Sequence, residues 1–154
     1  MRILVVCSGN TCRSPLAAAL LAARLGAAGG FADTVVASAG TSAWDGAPAS
    51  EGSYLVALER GLDLSGHRAR MLTANLVRDA DLILTMTDAH AHRVADLGGA
   101  GKVYPLAAFS GAEDSIGDIP DPAGGSVADY RDTAELLDRL LAGAVARLKA
   151  ERRQ

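Results

Sequence analysis

Near the start of the chain, the run Cys7-Ser8-Gly9-Asn10-Thr11-Cys12-Arg13-Ser14 follows directly on the apolar Ile3-Leu4-Val5-Val6. A thiolate is a strong nucleophile, and a guanidinium six positions further on offers a planar fork that can hold two oxygens of an oxyanion. Between Cys7 and Arg13 the residues are small or polar, with Gly9 free to take unusual φ. A loop of this kind, set between a strand and a helix, can turn several backbone N–H groups onto one anion, aided by the positive end of the helix. The same donors favour Cys7 as thiolate over thiol. The chemistry implied is a thiolate attacking a bound phosphoryl group to give a phosphocysteine. A Cys-x5-Arg spacing alone arises often by chance; here the strand before it and the Ser-Pro helix start after it agree with the same reading.

The elements that would position this loop can be read from pattern. Short apolar runs alternate with helical ones, which implies an α/β fold with a parallel sheet. Strands are expected over residues 2–6, 34–38, 81–85 and 102–104. Helices are expected over 15–25, closed by Gly26 and capped by Ser14, and over 48–60, 73–78, 87–96 and 127–150. In the last of these Leu137, Leu141, Ala144, Val145 and Leu148 form one apolar stripe. A loop over 106–125 is longer than most connections inside a compact domain, which makes it a candidate for function. It contains two carboxylates in Asp118-Ile119-Pro120-Asp121-Pro122, and residue types alone do not choose between them.

The 154 residues suit one domain, 1–154, with an adequate core. Only 4% are aromatic, so that core must be built of Leu, Val, Ile and Ala. A net charge of −3 without a lysine-rich run argues against a general nucleic-acid binder. The basic residues Arg147, Lys149, Arg152 and Arg153 suit the end of a solvated helix. No run of 18 apolar residues is present, and the N-terminus reads as a strand rather than a signal peptide, so no membrane association is expected. With only two cysteines a disulfide scaffold and a four-cysteine zinc site are excluded, and the expected compartment is the reducing cytoplasm. His90 and His92, two apart on a helix, do not face one another; no metal pair is expected, and both are assigned to the surface.

The run from Cys7 through Pro15 resembles the signature of the low-molecular-weight protein-tyrosine phosphatases, Cys-x-Gly-Asn-x-Cys-Arg-Ser-Pro. The resemblance continues with Ser38-Ala39-Gly40, with Ala80-Asp81-Leu82-Ile83-Leu84-Thr85-Met86-Thr87 and with Asp121-Pro122 ahead of the final helix, covering essentially the whole chain in order. It implies a three-layer flavodoxin-like fold, with a four-stranded parallel sheet and helices on both faces, and neither a metal nor an organic cofactor. It implies Cys7 as nucleophile, Arg13 as phosphate ligand and Asp121 as general acid. Ser8, Gly9, Asn10, Thr11, Cys12, Arg13 and Ser14 would cradle the phosphate. Asn10, Ser14, Ser38 and His67 would form a hydrogen-bond network behind the loop. Asp118 is left as a solvated acid. Cys7 and Cys12 would be able to form a reversible disulfide that guards the nucleophile; Cys12 as a packed small residue is equally compatible with the sequence. The partner implied is a phosphorylated protein, acted on by a monomer or weak dimer.

Substrate choice rests on the rim. Trp44 offers a ring that could stack on a phosphotyrosine or on a guanidinium. Thr11, where tyrosine phosphatases carry an aliphatic residue, resembles the bacterial protein-arginine phosphatase branch. Ala123 replaces the aromatic that both branches carry after Asp-Pro. Phosphotyrosine and phosphoarginine therefore stand close to even. Two other functions are compatible with such a loop. A thiol-dependent arsenate reductase would need an external thiol, since a three-cysteine relay is impossible here. A non-enzymatic phosphate-binding module would have no need of Cys7, Arg13 and Asp121 together.

Overall fold

A computed structural model describes residues 1–112 and 117–153. Residues 113–116 of the expected long loop, and residue 154 of the expected domain, lie outside the described residues. Four strands, β1 (Arg2–Cys7), β2 (Val35–Gly40), β3 (Leu82–Thr85) and β4 (Val103–Pro105), form one parallel sheet in the order β2-β1-β3-β4. Ile3 through Cys7 are all buried, because a central strand of a parallel sheet is covered on both faces. Its alternate side chains part between two cores. Ile3, Val5 and Cys7 face a core with Leu16, Leu20 and Leu21 of α1 (Arg13–Ala28) and Leu137, Leu141 and Leu148 of α6 (Val127–Arg152). Leu4, Val6 and Ile83 face a second core with Val77 of α3 (Ala74–Asp79) and Val94 of α4 (Asp88–Val94). That is the expected three-layer arrangement. Each of these buried aliphatic side chains stabilises the fold by about 1.5–3 kcal/mol through removal from water.

The carboxyl end of β1 lies where the sheet order reverses, since the chain leaves β1 toward β2 on one side and β3 pairs on the other. In open α/β sheets that point forms a crevice suited to ligands. Cys7 is its last strand residue.

Several expected boundaries are corrected. Helix α1 starts at Arg13, not at residue 15, with Cys12 as the flanking residue and no side-chain cap. Ser14 lies inside the helix with its hydroxyl turned toward Cys7. Gly26 does not end the helix either; the chain turns at Gly29, with φ 73°. Helix α2 (Glu51–Glu59) begins three residues later than expected because Ser50, accepting from Ser53 N, caps it. Strand β2 runs two residues further, to Gly40. The expected 106–125 loop begins with a short helix, α5 (Leu106–Ser110), which seats Leu106, Ala107 and Phe109 in the core. Five residues are too few to show a helical period. After α4 the chain passes through a wider π turn, Ala95–Gly99. Helix α6 opens on a capping box of Ser126 and Asp129. No helix of the described residues is long and apolar enough to cross a membrane.

Two glycines separate a constrained position from a free one. A Cβ at Gly40 would lie 2.3 Å from the Ser8 carbonyl oxygen and 2.9 Å from Asn10 N, whereas one at Gly26 would meet nothing within 4 Å. Gly40→Ala is expected to lower stability by about 2 kcal/mol or more, since the Cys7 loop would have to move. Gly26→Ala, in a helix interior, should raise it by about 0.5–1 kcal/mol. Urea unfolding of the two variants checks both signs.

Candidate active site

The Cys7–Arg13 loop is held from outside by its own carbonyls. The oxygens of Cys7 and Ser8 accept from Thr41 N and Ser42 N, each at 2.9 Å. That of Asn10 accepts from His67 Nε2 at 2.6 Å, that of Thr11 from Ser50 N at 2.9 Å and that of Cys12 from Ser53 Oγ at 3.0 Å. With five carbonyls engaged on the outer side, the loop's N–H groups are turned inward, which is the arrangement of an anion nest. The first turn of α1 adds its N-terminal N–H groups, which no side chain caps.

Asn10 fixes this shape. It is fully buried and takes a left-handed φ of 57°, a conformation that asparagine tolerates better than other side chains. Its Nδ2 donates to Ser14 Oγ at 2.8 Å and to Ser38 Oγ at 2.9 Å, and its Oδ1 accepts from Arg70 N at 3.0 Å. The four residues expected behind the loop, Asn10, Ser14, Ser38 and His67, are thus brought together. Arg70 also donates through Nε to Ser38 O at 2.9 Å.

Cys7 is buried, with its Sγ 2.9 Å from Ser14 Oγ and 3.3 Å from Asn10 N. Ser14 Oγ accepts from Asn10 Nδ2 and has its own proton available for the sulfur. Ser14 Oγ and Asn10 N thus both lie within hydrogen-bond reach of Sγ. This also explains why Ser14 does not cap the helix: its hydroxyl serves Cys7, and the helix N–H groups stay open toward the loop. Cys12 is buried as well, and its Sγ lies 3.3 Å from Ser50 Oγ and 3.5 Å from Tyr130 Oη. Both cysteines are free thiols. Burial is the main cause that raises the Tyr130 phenol above its ordinary range, and the contact with Cys12 adds to it.

Arg13 is 5% exposed. Its Nη1 donates to Ile119 O at 2.9 Å, while its Nη2 stands 3.6 Å from Asp121 Oδ2. Ile119, 1% exposed, donates its N–H to Met86 O at 2.9 Å and so fastens the acid-bearing segment to the end of β3. Asp121 itself is about half exposed, and its Oδ1 accepts from Ala123 N at 3.0 Å. The carboxylate beside the arginine is thus Asp121 rather than Asp118. Asp118 is not merely solvated: its Oδ1 accepts from Asp88 N at 2.8 Å and helps to close the start of α4.

The assignment of His90 to the surface is overturned. His90 is 6% exposed, and its Nε2 lies 2.8 Å from Ser8 Oγ. Burial, and then the charge of Arg13, push its imidazole below the ordinary value of about 6.5, against the opposing pull of Asp118 and Asp121. The missed signal was local: Thr87 caps α4 through His90 N, and His90, Ala91 and Val94 are the buried residues of that helix. His92 is exposed, 3.4 Å from Asp88. Ser50, Ser53, Arg70 and Tyr130 were likewise absent from the expected set, since each acts on the loop from a distant part of the chain.

On the rim, Trp44 is 85% exposed, two residues beyond the backbone bond from Ser42 to Ser8. The Thr11 hydroxyl leans back over the loop, 3.5 Å from where a Cβ of Gly9 would stand and 3.8 Å from Cys12 Sγ. Ala123 is exposed.

Comparison with known proteins agrees with this geometry. Residues 2–154 match the family model "Low molecular weight phosphotyrosine protein phosphatase". The chain belongs to that family, and it is a cysteine-dependent protein phosphatase of the tyrosine or arginine type. The low molecular weight protein-tyrosine-phosphatase PtpB of Staphylococcus haemolyticus (strain JCSC1435) is 40% identical over 138 residues, covering 89% of this chain and 92% of that one. The protein-arginine-phosphatase of Bacillus subtilis (strain 168) is 37% identical over 158 residues, covering 99% and 100%. Among solved structures, the YwlE arginine phosphatase, as a C7S mutant with a phosphorylated active-site serine, superposes with a TM-score of 0.89 at 35% identity over 99% of both chains.

A folded state that keeps His90 neutral binds fewer protons than the unfolded chain below pH 6.5 or so. Stability present above that pH should therefore fall as the pH drops through it. His90→Gln should flatten this loss; urea midpoints at several pH values between about 7.5 and 5 measure the difference.

Proposed function

We propose that the chain removes phosphate from phosphotyrosine or phosphoarginine in proteins through a phosphocysteine on Cys7. The observation that carries this is the sulfur faced by Ser14 Oγ and Asn10 N inside a loop whose carbonyls are bonded outward, with Arg13 and Asp121 at its edge. The phosphorylated active-site serine of the YwlE C7S structure supports a covalent phosphoryl intermediate at this type of site.

In the first step the Cys7 thiolate attacks phosphorus while the bond from phosphorus to the leaving oxygen or nitrogen breaks. Asp121, as carboxylic acid, gives that atom a proton. Backbone N–H groups of residues 8–14 and the Arg13 fork receive the negative charge on the equatorial oxygens. In the second step the Asp121 carboxylate takes a proton from water as the water attacks phosphorus. The P–S bond breaks, and phosphate and thiolate are released. Asn10, Ser14, Ser38 and His67 hold the loop ready for both steps, so that little reorganisation accompanies the charge movement. A thiolate nucleophile needs a reducing compartment, which supports action in the cytoplasm.

Both substrates have support. Thr11 narrows and polarises the loop wall, and the relative named a protein-arginine-phosphatase matches end to end. The relative named a protein-tyrosine-phosphatase has the higher identity, and the exposed Trp44 ring can stack on either leaving group.

Cys7→Ser is expected to abolish turnover while inorganic phosphate still binds; substantial activity in that variant would refute the covalent route. Asp121→Ala should slow poor leaving groups most, and an equal loss with an activated aryl phosphate would remove its role as acid. For specificity, kcat/KM on phosphotyrosine and phosphoarginine peptides should be compared between the wild type and Thr11→Ile. A shift of about tenfold or more in the ratio toward phosphotyrosine is expected, and an unchanged ratio means that Thr11 is not the selector.

A further inference from the structure

His90 makes one hydrogen bond through its ring, from Nε2 to Ser8 Oγ at 2.8 Å, and its buried Nδ1 has no partner among the described residues. Nothing in the two-step chemistry above uses this pair. A buried polar nitrogen left alone calls for an explanation, and its protonation supplies one. Three forms are possible. The imidazolium would place a second buried cation near Arg13 and leave an N–H unpaired, so it is the costliest. The groups facing His90 are Arg13 from α1 and Asp118 and Asp121 from the acid-bearing segment, with burial and Arg13 outweighing the two carboxylates. Of the neutral forms, the Nδ1–H tautomer would bury an unpaired donor, which folded proteins rarely tolerate. The Nε2–H tautomer leaves only a lone pair unpaired, and it is also the form that a free neutral imidazole favours. His90 therefore donates and Ser8 Oγ accepts.

The consequence lies on Ser8. With an oxygen lone pair taken by His90, the Ser8 hydroxyl must send its own proton elsewhere. Ser8 is half-buried in the anion-binding loop, next to Cys7, and its carbonyl is already fastened outward to Ser42 N. We propose that His90 is a positioning residue that holds Ser8 Oγ by its Nε2–H and thereby aims the Ser8 hydroxyl into the loop as an additional donor to the phosphoryl group. This adds a side-chain hydrogen bond to those of the backbone and Arg13. It deepens the phosphatase reading of the same site and rests on it. A serine at position 8 without a buried donor behind it would be free to rotate and spend its proton on solvent.

The test uses inorganic phosphate as the probe and reads its affinity directly, in the wild type, Ser8→Ala, His90→Phe, the double variant and His90→Gln. Each of the first two substitutions should weaken phosphate binding about tenfold, the size expected for one hydrogen bond to a charged group. The double variant should be no weaker than either single one. His90→Gln, whose amide can still donate to Ser8, should retain most of the affinity. Losses that add in the double variant, or a Ser8→Ala variant that binds phosphate as the wild type does, would overturn the proposal. An independent measurement needs no variant: nitrogen-15 NMR of the wild-type imidazole should show His90 as the Nε2–H tautomer, and an Nδ1–H tautomer or an imidazolium at neutral pH overturns the proposal. Neither measurement involves turnover. A chain that binds phosphate in this way yet hydrolyses no phosphoprotein would sink the phosphatase reading and leave this one standing.

Discussion

The site depends on one buried asparagine in a left-handed turn. Asn10 reverses the loop so that neighbouring carbonyls leave it on the outside and amides gather on the inside. An asparagine can do this because its side chain replaces the bonds that the backbone gives up: both Nδ2 hydrogens, Oδ1 and the main-chain oxygen each find a partner. The left-handed conformation costs on the order of 1–2 kcal/mol, and four hydrogen bonds around a fully buried residue offset it. Any change that leaves Ser14, Ser38 or Arg70 N without its partner acts on the loop itself.

The sheet brings that constraint within reach of chemistry. Three segments end near Cys7: β1 with the loop, β2 with Gly40, and β3 with Met86. Each supplies a different support. Beyond β2, Thr41 and Ser42 clamp the loop carbonyls, and Gly40 permits the close approach. Beyond β3, Met86 O anchors Ile119, which in turn receives Arg13. A buried isoleucine two residues before Asp121 thus helps to set the distance between Asp121 and Arg13. The carboxylate is half-exposed, so water and a leaving group can reach it, while Ala123 N and Arg13 hold its two oxygens.

Much of this was legible in the chain. Alternation of apolar runs and helical stripes showed the order of strands and helices, because β1 and β3 are buried on both faces and α6 on one. Cys7, Arg13 and Asp121 could be chosen because their residue types carry chemistry, with the Asp118–Asp121 choice resting on family resemblance. What was hidden has a common cause. His90, Ser50, Ser53 and Arg70 are ordinary residues whose role comes from contacts across 38 to 82 positions. Spacing arguments see i to i+4 neighbours on one helix, and on that ground His90 and His92 looked alike. A shared face with Ala91 and Val94 hints that His90 is the buried one, but its hydrogen bond to Ser8 becomes visible only in the tertiary fold. Ser14 was misread for a related reason: as a residue type it suits a cap, but the site takes its hydroxyl for the sulfur.

The same division explains why the reaction is easier to assign than the substrate. Cys7, Asn10, Arg13 and Ser14 are buried, and hydrogen bonds fix each of them; exchanging one leaves unpaired polar groups behind. Trp44 and Ala123 are exposed and Thr11 is half-buried, so substitutions of their side chains disturb less of the core. A phosphoryl group is the same whether it arrives on a phenol or a guanidinium, so under the proposed reaction the buried set would meet the same group with either substrate. Under that reaction, discrimination between leaving groups would fall to residues outside the buried set, where each contact contributes about 1–3 kcal/mol. Relatives at similar identity carry both names, as a division between a buried set that meets the phosphoryl group and a rim that meets the leaving group allows.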